Sequence, residues 1–330
     1  MPRRRATDGH RGDVMPLFDR YPALSGLSRA PLGRFPTPVD EVHALSASLF
    51  VKRDDLSADP LGGNKVRALE FLLGGVKDED RIVTVGAAGS THALAVATYG
   101  KRLGAHVSVG RWTQEMNRAA EVVAERIGRQ ADEAPIFRSP VRAYAWAWRQ
   151  RLTGASWIAA GGSTPTGVLG HVNAGLELVA QIDAGMLPAP RYVVVPLGTG
   201  GTMAGLALAF TLAARDIRVV GARVVPRIVA RQRHVLALAS STSRLIERVT
   251  GERVPRVSQD SIEIVHDAYG GAYGRETDAA RRAADALQGA ARIILDGTYS
   301  AKAFSVALDY AKRGPTVFWL TFDSRILTGS

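Results

Sequence analysis

Apolar residues recur along this chain in two alternating rhythms. Short, nearly continuous apolar runs closed by Asp, Gly or Pro, such as Leu49-Phe50-Val51-Lys52-Arg53, Arg81-Ile82-Val83-Thr84-Val85 and Tyr192-Val193-Val194-Val195-Pro196, predict strands covered on both faces. Further strands are expected over 106–109, 134–137, 157–160, 218–225, 261–265, 293–295 and 317–321. Between them, apolar residues spaced three and four apart predict helices over 66–73, 92–102, 118–127, 141–152, 167–182, 204–214, 228–240, 243–249, 277–288 and 301–312. Residues 16–38, rich in Pro, Leu and Arg, read as an irregular wrap. Strand, small-residue loop, helix and strand in repeated succession make βαβ units, and these demand a parallel sheet. The expected fold is α/β, with two lobes, each a doubly wound parallel sheet.

Length supports two lobes, because 330 residues exceed what one hydrophobic core usually serves. The chain changes lobe around Gly161-Gly162-Ser163. The division expected is a basic tail over 1–14, a larger domain from 15–58 and 168–330, and a smaller one over 59–167. The tail, with Arg3-Arg4-Arg5 and no apolar period, is expected to be disordered, and with no apolar segment behind it is not a secretory signal. The net charge of +11 comes from arginines that are scattered rather than interleaved with aromatics, so a nucleic-acid partner is not expected and an anionic small ligand is the milder explanation. Cysteine is absent, which excludes disulfides, thiolate metal sites and a cysteine nucleophile, and no metal site is expected; it also agrees with a reducing, cytoplasmic location. The longest apolar run, 203–214, is too short to span a bilayer, so no membrane association is expected.

Candidate chemistry concentrates in loops that open helices. The chain has six lysines against thirty-six arginines, and of the six only Lys65 sits in a glycine loop, Leu61-Gly62-Gly63-Asn64-Lys65, at a helix start. The positive helix end and apolar neighbours can hold its amine partly uncharged, as a carbonyl-attacking lysine requires; a merely solvated lysine is the alternative. Gly198-Thr199-Gly200-Gly201-Thr202 lies between a strand and a helix, where free N–H groups and two hydroxyls form a phosphate cradle, or else an empty glycine turn. Gly89-Ser90-Thr91-His92 has the same placement and the size for a carboxylate, or is an ordinary helix cap. Gly297-Thr298-Tyr299-Ser300 opens another helix, with a tyrosine able to protonate a leaving group or simply to pack. A phosphate cradle, a loop lysine and a carboxylate-sized helix start are together what pyridoxal 5'-phosphate and an amino-acid substrate need.

With these loops the chain resembles the fold type II (tryptophan synthase β-like) pyridoxal phosphate enzymes, in the branch of D-cysteine desulfhydrase and 1-aminocyclopropane-1-carboxylate deaminase. The likeness rests on Pro36-Thr37-Pro38-Val39, Val51-Lys52-Arg53-Asp54-Asp55, Gly62-Gly63-Asn64-Lys65-Val66-Arg67, Thr84-Val85-Gly86 with Ser90 and His92, Gly161-Gly162-Ser163, Gly198 to Thr202, Tyr273-Gly274 and Asp296 to Lys302. It implies that Lys65 is the Schiff-base lysine, assisted by Asn64, and that Gly198, Thr199, Gly200, Gly201 and Thr202 hold the phosphate. Ser90, Thr91 and His92 would face the substrate carboxylate, with Tyr273 and Tyr299 on the substrate side; Lys65, Tyr299 and Ser90 would do the chemistry.

The departures are specific. Thr91 replaces the usual asparagine that contacts the ring hydroxyl, and Ser300 stands where cyclopropane deaminases carry glutamate. Leu320-Thr321-Phe322-Asp323 replaces His-Thr-Gly-Gly, with Leu327-Thr328-Gly329-Ser330 as a second alignment. Ser300 or Thr321 would then present a neutral hydroxyl to the pyridine nitrogen, which suits elimination. The resemblance implies a lyase or deaminase acting on a small amino acid and giving a keto acid and ammonia, in a homodimer. A β-replacement synthase, and a cofactor binder without turnover, are the alternatives.

Overall fold

The computed structural model describes residues 15–59, 61–272 and 274–327. The tail over 1–14, Tyr273 and the alignment ending at Ser330 therefore lie outside the described residues. In chain order the elements are α1 (Pro16–Arg20), β1 (Val39–Glu41), β2 (Leu49–Arg53), α2 (Asn64–Leu72), β3 (Arg81–Ala87), α3 (Thr91–Arg102), β4 (His106–Trp112), α4 (Arg118–Gln130), β5 (Ile136–Phe137), α5 (Pro140–Leu152) and β6 (Ser156–Ile158). The remainder comprises α6 (Pro165–Asp183), β7 (Tyr192–Leu197), α7 (Gly201–Leu212), β8 (Arg218–Arg223), α8 (Gln232–Thr250), β9 (Ile262–Val265), α9 (Asp278–Ala291), α10 (Ser300–Ala311) and β10 (Thr316–Leu320).

Two sheets form, one of six strands in the order β1-β2-β10-β7-β8-β9 and one of four in the order β5-β4-β3-β6. All neighbours run parallel except β1, which lies antiparallel along β2 with Asp40 opposite Val51. In the larger sheet Val317 pairs with both Phe50 and Val193, and Val193 with Val219, so the valine-rich strands lie at its centre. They are apolar throughout because helices cover both faces: Val193 and Val195 point toward Leu206 and Phe210 of α7, Val194 and Phe318 toward Phe304 of α10. In the smaller sheet Ile82 and Val107 pack with Leu94 and Ile127 of α3 and α4.

Three expectations need correction. Residues 228–249 do not form two helices parted at 241–242: α8 is one helix of 19 residues that starts only at Gln232 and runs through those positions, where Ser243 Oγ donates back to the Ala239 carbonyl at 3.2 Å. Ile293-Ile294-Leu295 is not a strand. Arg292 ends α9 in the left-handed region, and Ile293 and Leu295 then bury their side chains while β9 remains the edge of the sheet. The wrap over 16–38 holds the short helix α1, and the edge strand β1 follows it at Val39; both are too short for periodicity to show.

Three of the segments named for chemistry follow carboxyl ends of parallel strands: 88–91 after β3, 198–200 after β7 and Thr321 after β10. In open α/β sheets that is the side on which ligands bind.

Candidate active site

Lys65 is the second residue of α2, and the entry to that helix is fixed by glycine. Gly63 adopts φ +129°, and a side chain there would run into the Thr321 carbonyl. The close approach lets Asn64 N donate to Thr321 O at 3.0 Å, tying the helix start to the end of β10. Asn64 Nδ2 donates to Thr202 Oγ1 at 2.7 Å, which ties it to α7 as well. The Lys65 amine has one hydrogen-bond partner among the described residues, the Gly161 carbonyl at 3.3 Å, and no carboxylate partner. Its stem is partly accessible from the cavity, but lost hydration around the amine lowers its pKa to about 8.

The cradle is built by Gly198 to Thr202 at the start of α7. Gly200 sits in the left-handed region at φ +91°, and no side chain caps the helix, leaving its N–H end for an anion. Thr199 Oγ1 and Ser163 Oγ lie 2.6 Å apart, and a Cβ on Gly201 would stand 2.8 Å from Ser163 Oγ. The turn over 161–163 therefore backs the cradle, and only glycine permits the contact. Beside Gly198 a Cβ would meet nothing within 4 Å, so the open space lies on that side.

On the other sheet, Ser90 caps α3 by accepting from Ala93 N at 3.3 Å, which leaves its hydroxyl hydrogen to donate outward. Thr91 is hydrogen-bonded to the Tyr299 hydroxyl, and that phenol's pKa is raised by burial. His92 lies beneath the loop, 3 % exposed, with Nε2 3.2 Å from Thr84 Oγ1. Burial, reinforced by the Lys65 charge and opposed by a hydrogen bond to Ala159, takes its pKa to about 3, so the ring is neutral. It offers shape under the α3 terminus rather than a positive charge.

Tyr299 stands at the start of α10, held by Asp296, which accepts from Tyr299 N at 2.7 Å and Ser300 N at 3.0 Å. Ser300 is fully buried behind it, whereas Thr321 lines the cradle directly.

Lys65, Asn64, Thr91, Gly198 to Thr202, Tyr299 and Thr321 thus surround one recess. Lys65, Thr91, Gly198, Thr199 and Tyr299 also border a larger cavity of about 610 Å³ that includes Ser90 and His92. Sequence reasoning missed much of its wall, including Trp112, Tyr144, Val229 and Tyr269. Trp112 ends β4 and Tyr269 follows β9, so the rule about strand ends could have found both. Tyr144, midway along α5, and Val229, beyond β8, carry no local signal.

Pyridoxal phosphate fits these residues. A glycine-rich cradle with unused helix N–H groups and threonine hydroxyls matches its phosphate, and an amine with a depressed pKa, held without an acidic partner, matches its aldehyde. Residues 30–320 match the family model described as pyridoxal-phosphate dependent enzyme. The chain is 32% identical over 324 residues to the nocardicin C-9' epimerase of Nocardia uniformis subsp. tsuyamanensis, covering 92% of this chain and 94% of that one. It is 27% identical over 318 residues to the D-cysteine desulfhydrase of Salmonella typhi, covering 89% and 90%. Among solved structures, one described as an ACC deaminase homologue matches with a TM-score of 0.77 and 26% identity, over 95% of this chain and 98% of that one.

Proposed function

The chain belongs to the pyridoxal-phosphate dependent enzyme family, and we propose that within it the protein is a lyase that eliminates a β-substituent from an amino acid, releasing a keto acid and ammonia. The reading is carried by one observation: the depressed amine of Lys65 and the hydroxyl of Tyr299 border the same cavity, between the cradle and the α3 terminus. When bound, pyridoxal phosphate supplies a ring that accepts the electron pair left at the substrate's Cα.

Around it the chain's own groups divide the work. The N–H end of α3, with the Ser90 hydroxyl, orients the substrate carboxylate. Lys65 Nζ, neutral in part near pH 8, takes the Cα proton. Tyr299, kept protonated by burial and directed by Thr91, gives its proton to the departing β-substituent. The buried His92, beneath the α3 terminus, keeps water from that side of the base.

A second reading, inversion at Cα without elimination, is supported by the 32% identity to an epimerase. The same groups serve it if the proton taken by Lys65 is returned from the other side by Ser90 or Tyr299.

The test is the holoenzyme and its Lys65→Ala variant, offered β-substituted D- and L-amino acids in D2O. Ammonia with keto acid marks elimination; deuterium at Cα with changed optical rotation and no ammonia marks inversion. Loss of a general base is expected to cost about 10²- to 10⁴-fold in rate. A Lys65→Ala protein that keeps both the bound-cofactor absorbance and full turnover would end either reading.

A further inference from the structure

The wall of the larger cavity has no use for a small substrate. Away from Lys65 it is made by Trp112 and Tyr144 from the four-stranded sheet's side, and by Val225, Pro226, Val229 and Tyr269 from the loops after β8 and β9. The cavity of about 610 Å³ belongs to the size class, roughly 300–1,000 Å³, that encloses drug-sized ligands, and since Lys65, Gly198 and Thr199 line it the cofactor would share that volume with the substrate. Tyr144 is 44% exposed and Val229 38% exposed, although both border a concave site where an apolar group gains by being covered.

The wall is also pre-arranged. Trp112 and Tyr144 are stacked, with centroids 6.2 Å apart and planes at 22°, and Trp157 lies 6.0 Å from Tyr144 on its other contact. Across the cleft the Tyr269 ring is held by the Arg223 guanidinium 4.3 Å from its centroid and by Lys302, whose Nζ donates to the Tyr269 carbonyl at 2.8 Å. Rings fixed before binding lose little entropy when a ligand covers them. For a substrate placed with its carboxylate at Ser90 and its Cα at Lys65, a large apolar side chain is the part that could cover this wall of the same cavity.

From this wall we infer that the substrate is an amino acid whose side chain carries an aromatic or similarly bulky apolar group, in place of the small amino acid expected from the sequence. The inference rests on the cofactor reading of this same site and adds the substrate class. Tyr144 is its specificity-determining residue.

The test uses cofactor-loaded protein and ligands without a β-leaving group, so that binding is read without elimination. D- and L-phenylalanine are titrated against D- and L-alanine, following the visible absorbance of the bound cofactor. One enantiomer of phenylalanine binds at least tenfold more tightly than either alanine. In Tyr144→Ala that phenylalanine-to-alanine ratio falls at least tenfold, and Tyr144→Phe restores it. Circular dichroism and cofactor content establish that both variants are folded and loaded. A coloured protein that binds alanine as tightly as phenylalanine, binds neither, or keeps its ratio in Tyr144→Ala overturns the substrate class alone. A protein that takes up no cofactor overturns the underlying reading instead, so the two failures are told apart.

Discussion

Two residues beyond Lys65, the fully buried Arg67 joins α2 to the rest of the molecule, and replacing it by methionine should unfold much of that connection. Its Nε and Nη2 donate to Asp54 at 2.9 and 2.7 Å, while Nη1 and Nη2 donate to Glu177 of α6 at 2.9 and 3.1 Å. Lys52, equally buried, donates to Glu177 at 2.5 Å and to Gln181 at 2.6 Å. Two cations thus balance two carboxylates with almost no water. Burial opposes ionisation, but Arg67 and then Lys52 hold the Glu177 carboxyl down to about 2. Arg67→Met leaves one buried negative charge uncompensated, a class of change that costs about 3–5 kcal/mol. At about 2.1 cal/mol/K of unfolding entropy per residue, a chain of 330 residues loses roughly 4–7 °C in Tm. Thermal unfolding followed by far-ultraviolet circular dichroism measures it. The double variant Arg67→Met with Glu177→Leu leaves one charge of each sign, Lys52 and Asp54, and should recover part of the loss. A single variant within 1 °C of the parent, or a double variant no better than the single, would refute the charge argument and point to packing.

Other expectations follow from the same geometry. If Lys65 captures the cofactor as proposed, uptake by the apo-protein should speed up as pH rises through about 8 and then level off, because the neutral amine would be the nucleophile; a stopped-flow profile rising instead through about 10.4, the value of a free lysine, would contradict it. Gly63→Ala forces a side chain into the left-handed region against the Thr321 carbonyl, and should cost about 1–3 kcal/mol in urea unfolding as well as weaken cofactor binding. Asp296→Ala frees the N–H groups of Tyr299 and Ser300 at the start of α10; a loss of about 0.5–2 kcal/mol is expected, with slower turnover as Tyr299 loses its anchor. Glu177 has a depressed pKa in the fold, so the stability it contributes is complete above its unfolded value of about 4.3 and is lost as pH falls through about 2; acid titration of Glu177→Gln should lack that step.

By itself the sequence determined the parallel α/β architecture, because strands buried on both faces must be apolar throughout, and Tyr192 to Leu197 or Val317 to Leu320 can be little else. It also marked loops that the fold brings to one recess, since glycines at 62–63, 198 and 200–201 stand out against helical and strand periodicity, and Lys65 is the one lysine among them. The extent of α8 and the fate of residues 293–295 were decided by tertiary packing, which can carry a helix through a serine pair and bury a short apolar run without pairing it. Only the tertiary structure brought Asn64 onto Thr202, Tyr299 onto Thr91, and Arg67 onto Asp54 and Glu177, partners 13 to 208 positions apart that no local pattern links. The aromatic wall is mixed: Trp112 and Tyr269 sit at strand ends that sequence can point to, whereas Tyr144, midway along α5, joins them only where the fold brings its helix to the same cleft.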